Sequence, residues 1–365
     1  MKIVDILIGK IKIPLKRPFK TALRTVYFAE DIIVKLLTRS GLVGYGSAAP
    51  TLAITGESSD SIISCLVNNL KPKIIGADLS NLEKVMNDLH SSFVNNTSAL
   101  AAVDMAFYDL LAQSLNLPLY KYLGGYHNLV FTDLTISANS PEVMVADSLI
   151  ALDEGFQDLK LKLGLNPSLD FVRVQAVRTA VGNKVKISLD ANQAWGAKEA
   201  VRIIRRFEKL NLNIEFVEQP VKAKKLSDLR YVTQNVETDI LADESVFSPY
   251  DALQLIHHKA CDLLNIKLAK AGGIFNATKI LNIAEAAGVE CIVGCMLESQ
   301  ISVTAAAHFA AAKKSIVRCD LDSPSLLAEN PIVGGAVVEA NTLTLSETDA
   351  GLGIKEVLNV EYLKF

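Results

Sequence analysis

Five charged residues, Lys162, Asp190, Glu218, Asp243 and Lys267, recur at intervals of 28, 28, 25 and 24 through the middle of the chain. Each closes an otherwise apolar run: Leu-Lys-Leu-Lys162, Ile-Ser-Leu-Asp190, Phe-Val-Glu218, Leu-Ala-Asp243 and Leu-Asn-Ile-Lys267. Runs of this kind read as strands, and the segments between them carry helical spacing. Strand–helix alternation predicts a parallel sheet, and eight such strands predict closure into a barrel. Side chains alternate along a strand, so Lys160 and Lys162 share one face, and Leu159, Leu161 and Leu163 the other.

The alternation begins after Gly125. Strand one is expected over Leu129–Ile136, with a helix from Pro141 to Glu154. Strand two ends at Lys162, with a helix near Ser168–Val181. Strands three to six end at Asp190, Glu218, Asp243 and Lys267. Strand seven covers Glu290–Cys295, followed by a helix over Glu298–Lys313, and strand eight covers Ser315–Asp320. Residues 1–124 read differently. Strands over Ile3–Ile13, Asp31–Thr38 and Leu42–Ala48 precede helices over Ser58–Leu70, Leu79–Phe93 and Ser98–Leu115, with Ser80 and Ser98 as N-caps. Pro14–Glu30, polar and aromatic, reads as a long loop, functional or disordered. The expected fold is therefore α/β: a (β/α)7β TIM-like barrel over 125–325 and an α+β capping domain over 1–124. A C-terminal segment, 326–365, is expected to return to the cap. Gly44-Tyr-Gly46-Ser-Ala-Ala49 imitates a dinucleotide fingerprint, but Pro50 follows and no helix opens there.

Half of the 365 residues are apolar and the net charge is −3, which predicts a substantial core and no nucleic-acid or anionic-membrane partner. Asp5 and Lys10 interrupt the first apolar run, so no signal peptide is expected. No uncharged apolar run approaches the ~20 residues of a membrane helix. The five cysteines, odd in number and set in apolar runs, read as reduced core residues of a cytoplasmic protein.

In a parallel barrel the strand C-termini share one face, where catalysis is placed. There Asp190, Glu218 and Asp243 converge. Three adjacent carboxylates repel unless a hard dication lies between them, and an all-oxygen site with open positions suits Mg²⁺. Whether Asp243 or Glu244 is the third ligand stays open on chemistry alone. Lys162 and Lys267 flank the acids. A lysine beside a dication and a second ammonium is expected to have a lowered pKa, as a base requires. A metal-bound carboxylate is more acidic at its α-carbon, so lysines on both sides point to racemisation or epimerisation through an enediolate. Singly, each of these residues suits a solvated strand end or loop acid; their order is what carries the reading.

That order, Lys160-x-Lys162, Asp190-Ala-Asn192, Glu218-Gln-Pro220, Asp243-Glu-Ser245, Lys267 and Gly294-Cys-Met296-Leu-Glu-Ser299, resembles the enolase superfamily in its muconate-lactonising-enzyme subgroup. The resemblance covers nearly the whole chain. It implies Asp190, Glu218 and Asp243 as Mg²⁺ ligands, Lys162 and Lys267 as the acid/base pair, and Lys160 as the neighbour that tunes Lys162. The mandelate-racemase branch would place a histidine near strand seven, and none of the five histidines lies there. Asp320-x-Asp322 looks like the dipeptide epimerases, whose aspartates hold the substrate's α-ammonium. Arg24 and Ile54-Thr-Gly56 in the cap also resemble that family, and Thr135, Ile54 and Met296 are carried over as substrate-contacting positions. The implied activity is Mg²⁺-dependent epimerisation of a dipeptide, L-Ala-D/L-Glu by Arg24, as in recycling of cell-wall peptides, by a homo-oligomer. The alternatives are N-succinylamino-acid racemase, o-succinylbenzoate synthase, a cycloisomerase, or a catalytically silent binder of acidic metabolites.

Overall fold

The computed structural model describes residues 1–92 and 94–365. Strands β1 (Ile3–Lys20) and β2 (Thr25–Thr38) form a long antiparallel hairpin, with β3 (Val43–Ala48) beside β2. The segment Pro14–Glu30 is therefore not a loop. Its ladder runs on to Lys20 paired with Thr25 and breaks only between Pro14 and Phe19. Pro14 and Pro18 lack the N–H a ladder needs, and the arm is exposed along much of its length, so it lacks the alternation that marks a half-buried strand. Only Thr21–Arg24 forms the turn, its hydroxyl accepting from Leu23 N at 3.1 Å and Arg24 N at 3.3 Å.

Helix Thr97–Ser114 is buried continuously from Ser98 to Leu110, as an apolar-all-round helix requires. It packs on β3 and on the segments Leu268–Ala271 and Ile274–Ala287. Its backbone lies directly on β3. A Cβ at Gly44 would come within 2.3 Å of the Ala106 carbonyl, and one at Gly46 within 1.9 Å of the Ala102 carbonyl. The Gly-x-Gly pattern thus serves close packing. The expected caps differ too: Asp78 accepts from Ser80 N, and Ser98 lies inside its helix, its hydroxyl bonded to the Ala49 carbonyl. Of the helix expected over Leu79–Phe93, Leu82–His90 is α-helical, and Phe93 lies outside the described residues.

The segment expected as barrel strand one splits. Leu129–Phe131 (β4) joins a small antiparallel sheet, and Leu134–Ile136 (β5) enters the barrel. Then come β6 (Asp158–Lys162), β7 (Lys186–Asp190), β8 (Ile214–Glu218), β9 (Asp239–Ala242), β10 (Leu263–Lys267), β11 (Glu290–Gly294) and β12 (Ile316–Asp320). They pair in parallel in the order β12-β11-β10-β9-β8-β7-β6-β5, and Thr132 bridges back to Cys319. Among the described residues eight helices intervene between these strands, two of them (Leu268–Ala271 and Ile274–Ala287) between β10 and β11, and the last is Gln300–Ala311. After β12 the chain forms β13 (Ile332–Gly334), β14 (Val337–Glu339), β15 (Thr342–Thr344) and β16 (Ile354–Val357). Then β17 (Glu361–Tyr362) adds an edge to β1.

Acids of the first 124 residues complete the helices of the barrel. Asp31 accepts from Ser299 N at 2.8 Å, ahead of Gln300–Ala311. Asp104 accepts from Ile274 N at 2.5 Å and Phe275 N at 3.2 Å. Helix N-termini leave such N–H groups without intrahelical partners, and carboxylates suit them. The five cysteines are free and buried. Among the described residues no helix is long and apolar enough to cross a membrane.

Candidate active site

Inside the barrel an apolar floor of Phe216, Leu241, Leu263 and Ile292 lies below a layer of charge. Lys160 and Lys162 both point inward from β6, at 1% and 7% exposure, as their shared face requires. The Lys160 ammonium pairs with Glu218, lies 3.5 Å from Asp190 and donates to Asp320 Oδ2 at 2.7 Å. Lys162 Nζ donates to Asp190 Oδ2 at 2.6 Å. Lys267 Nζ lies 2.9 Å from Asp243 and 4.0 Å from Glu218. The sheet order places β7, β8 and β9 between β6 and β10. The three acids at the C-terminal ends of those strands thus lie between the two lysines.

Asp243 and Glu244 differ in direction. Asp243 lines the cavity and meets Lys267 and Lys270, whereas Glu244 accepts from Gln193 Nε2 at 3.2 Å. Burial alone would raise every one of these carboxyls; lysine neighbours decide where it does not. Asp190 stays low because Lys162 and Lys160 outweigh its burial, and Asp243 is held well below the usual range by Lys267 and Lys270. Glu218 is pushed up to about 7 by burial and by Asp190. Lys267 is governed by its acidic neighbours. Burial pulls its ammonium down, but Asp243 and Glu218 more than offset that and raise it.

Above this layer is a cavity. Lys162, Lys267, Asp243, Asp320, Asp322, Thr135 and Met296 reach it from the barrel, and Arg24 and Ile54 from the cap. Asp190, Glu218 and Lys160 lie beneath, each 1% exposed. Asp320 and Asp322 are buried, at 7% and 4% exposure. Asp320 ends β12, while Asp322 is already in right-handed helical geometry and accepts from Thr135 N at 2.6 Å.

Several residues here escaped the sequence reading. Asp133 offers a carboxylate oxygen within 4.8 Å of those of Asp320 and Asp322. Burial, with both neighbours adding, pushes its pKa well up. Asn265 donates to Glu218 Oε1 at 2.8 Å, and Lys270 holds Asp243 Oδ1 at 2.6 Å. A Cβ at Gly294 would meet Asn265 and Lys267 side-chain atoms under 3.0 Å, so only glycine leaves them room. Gln219 accepts from Asp243 N and Ser245 N through Oε1, fastening the turn after β9. Its φ of 36°, with 43° at Asn192 and 68° at Gln193, places left-handed backbone just after two acid-bearing strands. The motifs Asp-Ala-Asn and Glu-Gln-Pro carried that signal. Phe19 and Cys295 also line the cavity.

Residues 3–124 match the mandelate racemase / muconate lactonizing enzyme N-terminal domain, and 144–356 the enolase C-terminal domain-like family. The L-Ala-D/L-Glu epimerase of Clostridium acetobutylicum is 49% identical over 98% of this chain and 100% of its own. A substrate-liganded structure of the Bacillus subtilis L-Ala-D/L-Glu epimerase superposes with a TM-score of 0.96 at 49% identity, covering 98% of this chain and 99% of that one. The Enterococcus faecalis dipeptide epimerase, complexed with Mg and L-Leu-L-Tyr, gives 0.94 at 44% identity, over 98% of this chain and 100% of its own. The chain belongs to the mandelate racemase / muconate lactonizing enzyme family of the enolase superfamily.

Proposed function

We propose that this protein is an isomerase, a Mg²⁺-dependent epimerase of dipeptides, with L-Ala-D/L-Glu as its substrate. The observation that carries the reading is the order of the barrel: three acids between two lysines, all beside one cavity that also receives Asp320 and Asp322. In this reading 1–124 is the cap, 125–325 the catalytic barrel, and 326–365 a segment returning to the cap.

The acids suit a hard cation. Glu218 Oε2 and Asp243 Oδ1 are buried with no aligned hydrogen-bond donor, and the groups beside them are lysine ammoniums. Asp190, Glu218 and Asp243 would hold Mg²⁺. Bound there, it would draw charge from the substrate carboxylate and so acidify the adjacent C–H. Lys162 and Lys267 do the proton work. One lysine enters neutral and takes the α-proton at Nζ; the other enters as ammonium and returns its own from the opposite side. Lys160 holds Asp190, Glu218 and Asp320 together by its ammonium. Asp320 and Asp322 bind the dipeptide's ammonium by charge-assisted hydrogen bonds. Arg24, at the cavity wall, has its pKa lowered by burial and pairs with no acid among the described residues, which suits an anionic second residue.

The test is α-deuterium uptake in D₂O across a small dipeptide library containing Ala-Glu, with an N-succinylamino acid for comparison. Uptake into Ala-Glu with net epimerisation supports the reading. Faster turnover of the N-succinyl substrate moves the protein to the racemase alternative, and no uptake into any substrate leaves it a silent binder.

A further inference from the structure

The cavity is roofed partly by a short strap, residues 51–57, between β3 and the helices of the cap. Its two ends, Thr51 and Glu57, are 1% and 3% exposed, and the five residues between them are exposed or half-buried. Within the strap, the N–H groups of Ile54, Thr55 and Gly56 all point at the Thr51 carbonyl. Ala53 and Ile54 line the cavity, and Ile54 packs on Ala49, Ala269 and Met296. So small an apolar contact leaves the ends of the strap to fix its position.

Both ends are tied to one place, the start of helix Thr97–Ser114. That helix begins after Asn96, whose backbone is left-handed at φ 53° and whose side chain makes no capping bond. Its free N–H groups are taken instead by Glu57, which accepts from Ser98 N at 2.9 Å through Oε2 and from Ala99 N at 3.2 Å through Oε1. The Ser98 hydroxyl holds the chain just ahead of the other end, donating to the Ala49 carbonyl at 3.0 Å. A carboxylate at a helix N-terminus gains from both the free N–H groups and the helix dipole. The same helix is held on the barrel through Asp104. The path from the barrel to the cavity roof is therefore continuous: Ile274 N, Asp104, the helix, Ser98 and Ala99, Glu57, then the strap.

We propose that Glu57 is a positioning residue that fixes the strap carrying Ala53 and Ile54 over the substrate, and so sets substrate binding without touching the proton chemistry. This rests on the epimerase reading for its kinetic readout only. Glu57→Ala leaves two N–H groups and the end of the strap untied, whereas Glu57→Gln keeps one acceptor.

The experiment measures kcat and KM for Ala-Glu, and amide hydrogen exchange of residues 51–57 in the full protein without substrate. Wild type, Glu57→Gln, Glu57→Ala and Ser98→Ala are compared below their melting temperatures. Glu57→Ala should raise KM by ~10-fold or more with kcat within ~2-fold, the pattern of lost binding rather than lost chemistry. The amides of Ile54, Thr55 and Gly56 should exchange at least ~10-fold faster, as opening of the strap becomes easier. Glu57→Gln should fall between wild type and Glu57→Ala, and Ser98→Ala should also raise KM. Unchanged exchange in 51–57 together with unchanged KM in Glu57→Ala overturns the proposal, leaving Glu57 as a helix cap that lowers only the melting temperature. Absence of turnover in wild type would count against the epimerase reading alone, since the exchange comparison still decides the role of Glu57.

Discussion

Lys160 Nζ donates to Asp320 Oδ2 at 2.7 Å, joining β6 to β12 on either side of β5. One ammonium thus links the acids beside Lys162 to the aspartate assigned to the substrate's amino group. Changes at Asp320 therefore reach both regions, and Asp322 is the cleaner probe of substrate binding.

Asp322→Asn should lower kcat/KM for free dipeptides by at least ~10-fold, equivalent to ~1.4 kcal/mol, while Mg²⁺ affinity stays within ~2-fold. Wild type should strongly prefer Ala-Glu to N-acetyl-Ala-Glu. Steady-state kinetics on both substrates, with a Mg²⁺ titration of the variant, checks this. If Asp322 only shapes the turn before Pro324, its variant loses stability with no change in preference.

Removing divalent metal should abolish α-proton exchange, and added Mg²⁺ should restore it. Asp190→Asn, Glu218→Gln and Asp243→Asn should each weaken Mg²⁺ binding by calorimetry. Full turnover after exhaustive chelation would refute the assignment of the three acids.

The two lysines should fail differently. Lys162→Ala and Lys267→Ala should each lose net epimerisation by on the order of 10²–10⁴-fold, the usual worth of a positioned acid or base. Each should still exchange the α-proton of the one epimer its remaining lysine faces. By family resemblance Lys162 serves the L configuration and Lys267 the D. Proton NMR in D₂O with the separate epimers reads this directly, and near wild-type epimerisation by either variant would end the two-base mechanism.

Asp104 gives a pH prediction away from the site. Burial raises its carboxyl from an ordinary 3.8 to about 8, against the pull of Ile274 N and Phe275 N. The folded state therefore holds the proton more tightly than the unfolded one. The associated stability is complete below 3.8 and is lost as pH rises toward about 8. Relative to Asp104→Asn, wild type should lose up to about 1.4 kcal/mol per pH unit within that window. Urea unfolding of both proteins at pH 5 and pH 7 measures the difference; parallel pH dependences would contradict it.

The acids and lysines of the site were readable because each ends an apolar strand, where charge is conspicuous, and strand spacing gave their convergence. Asp133, Asn265 and Lys270 were not. Asn265 acts on Glu218 from 47 residues away and Lys270 on Asp243 from 27, and neither pairing leaves a local pattern. The hairpin arm was hidden because two prolines and exposed faces erase the period of a strand. Ser98 suggested a helix cap by type, yet Glu57, on another segment, does that work. For the Gly44-x-Gly46 pair, only the helix backbone lying on β3 explains why both positions lack side chains.

The acids that finish the barrel helices from outside have a thermal consequence. Without Asp31 and Asp104, the starts of Gln300–Ala311 and Ile274–Ala287 would lose their partners, and without those helices the two carboxyl groups would be buried without N–H donors. Neither half of the chain is saturated alone, so neither has an independent folded state of comparable stability. Calorimetry should therefore record a single endotherm whose measured enthalpy equals the van't Hoff value, and any substitution that loosens the cap should lower the melting point of the whole molecule.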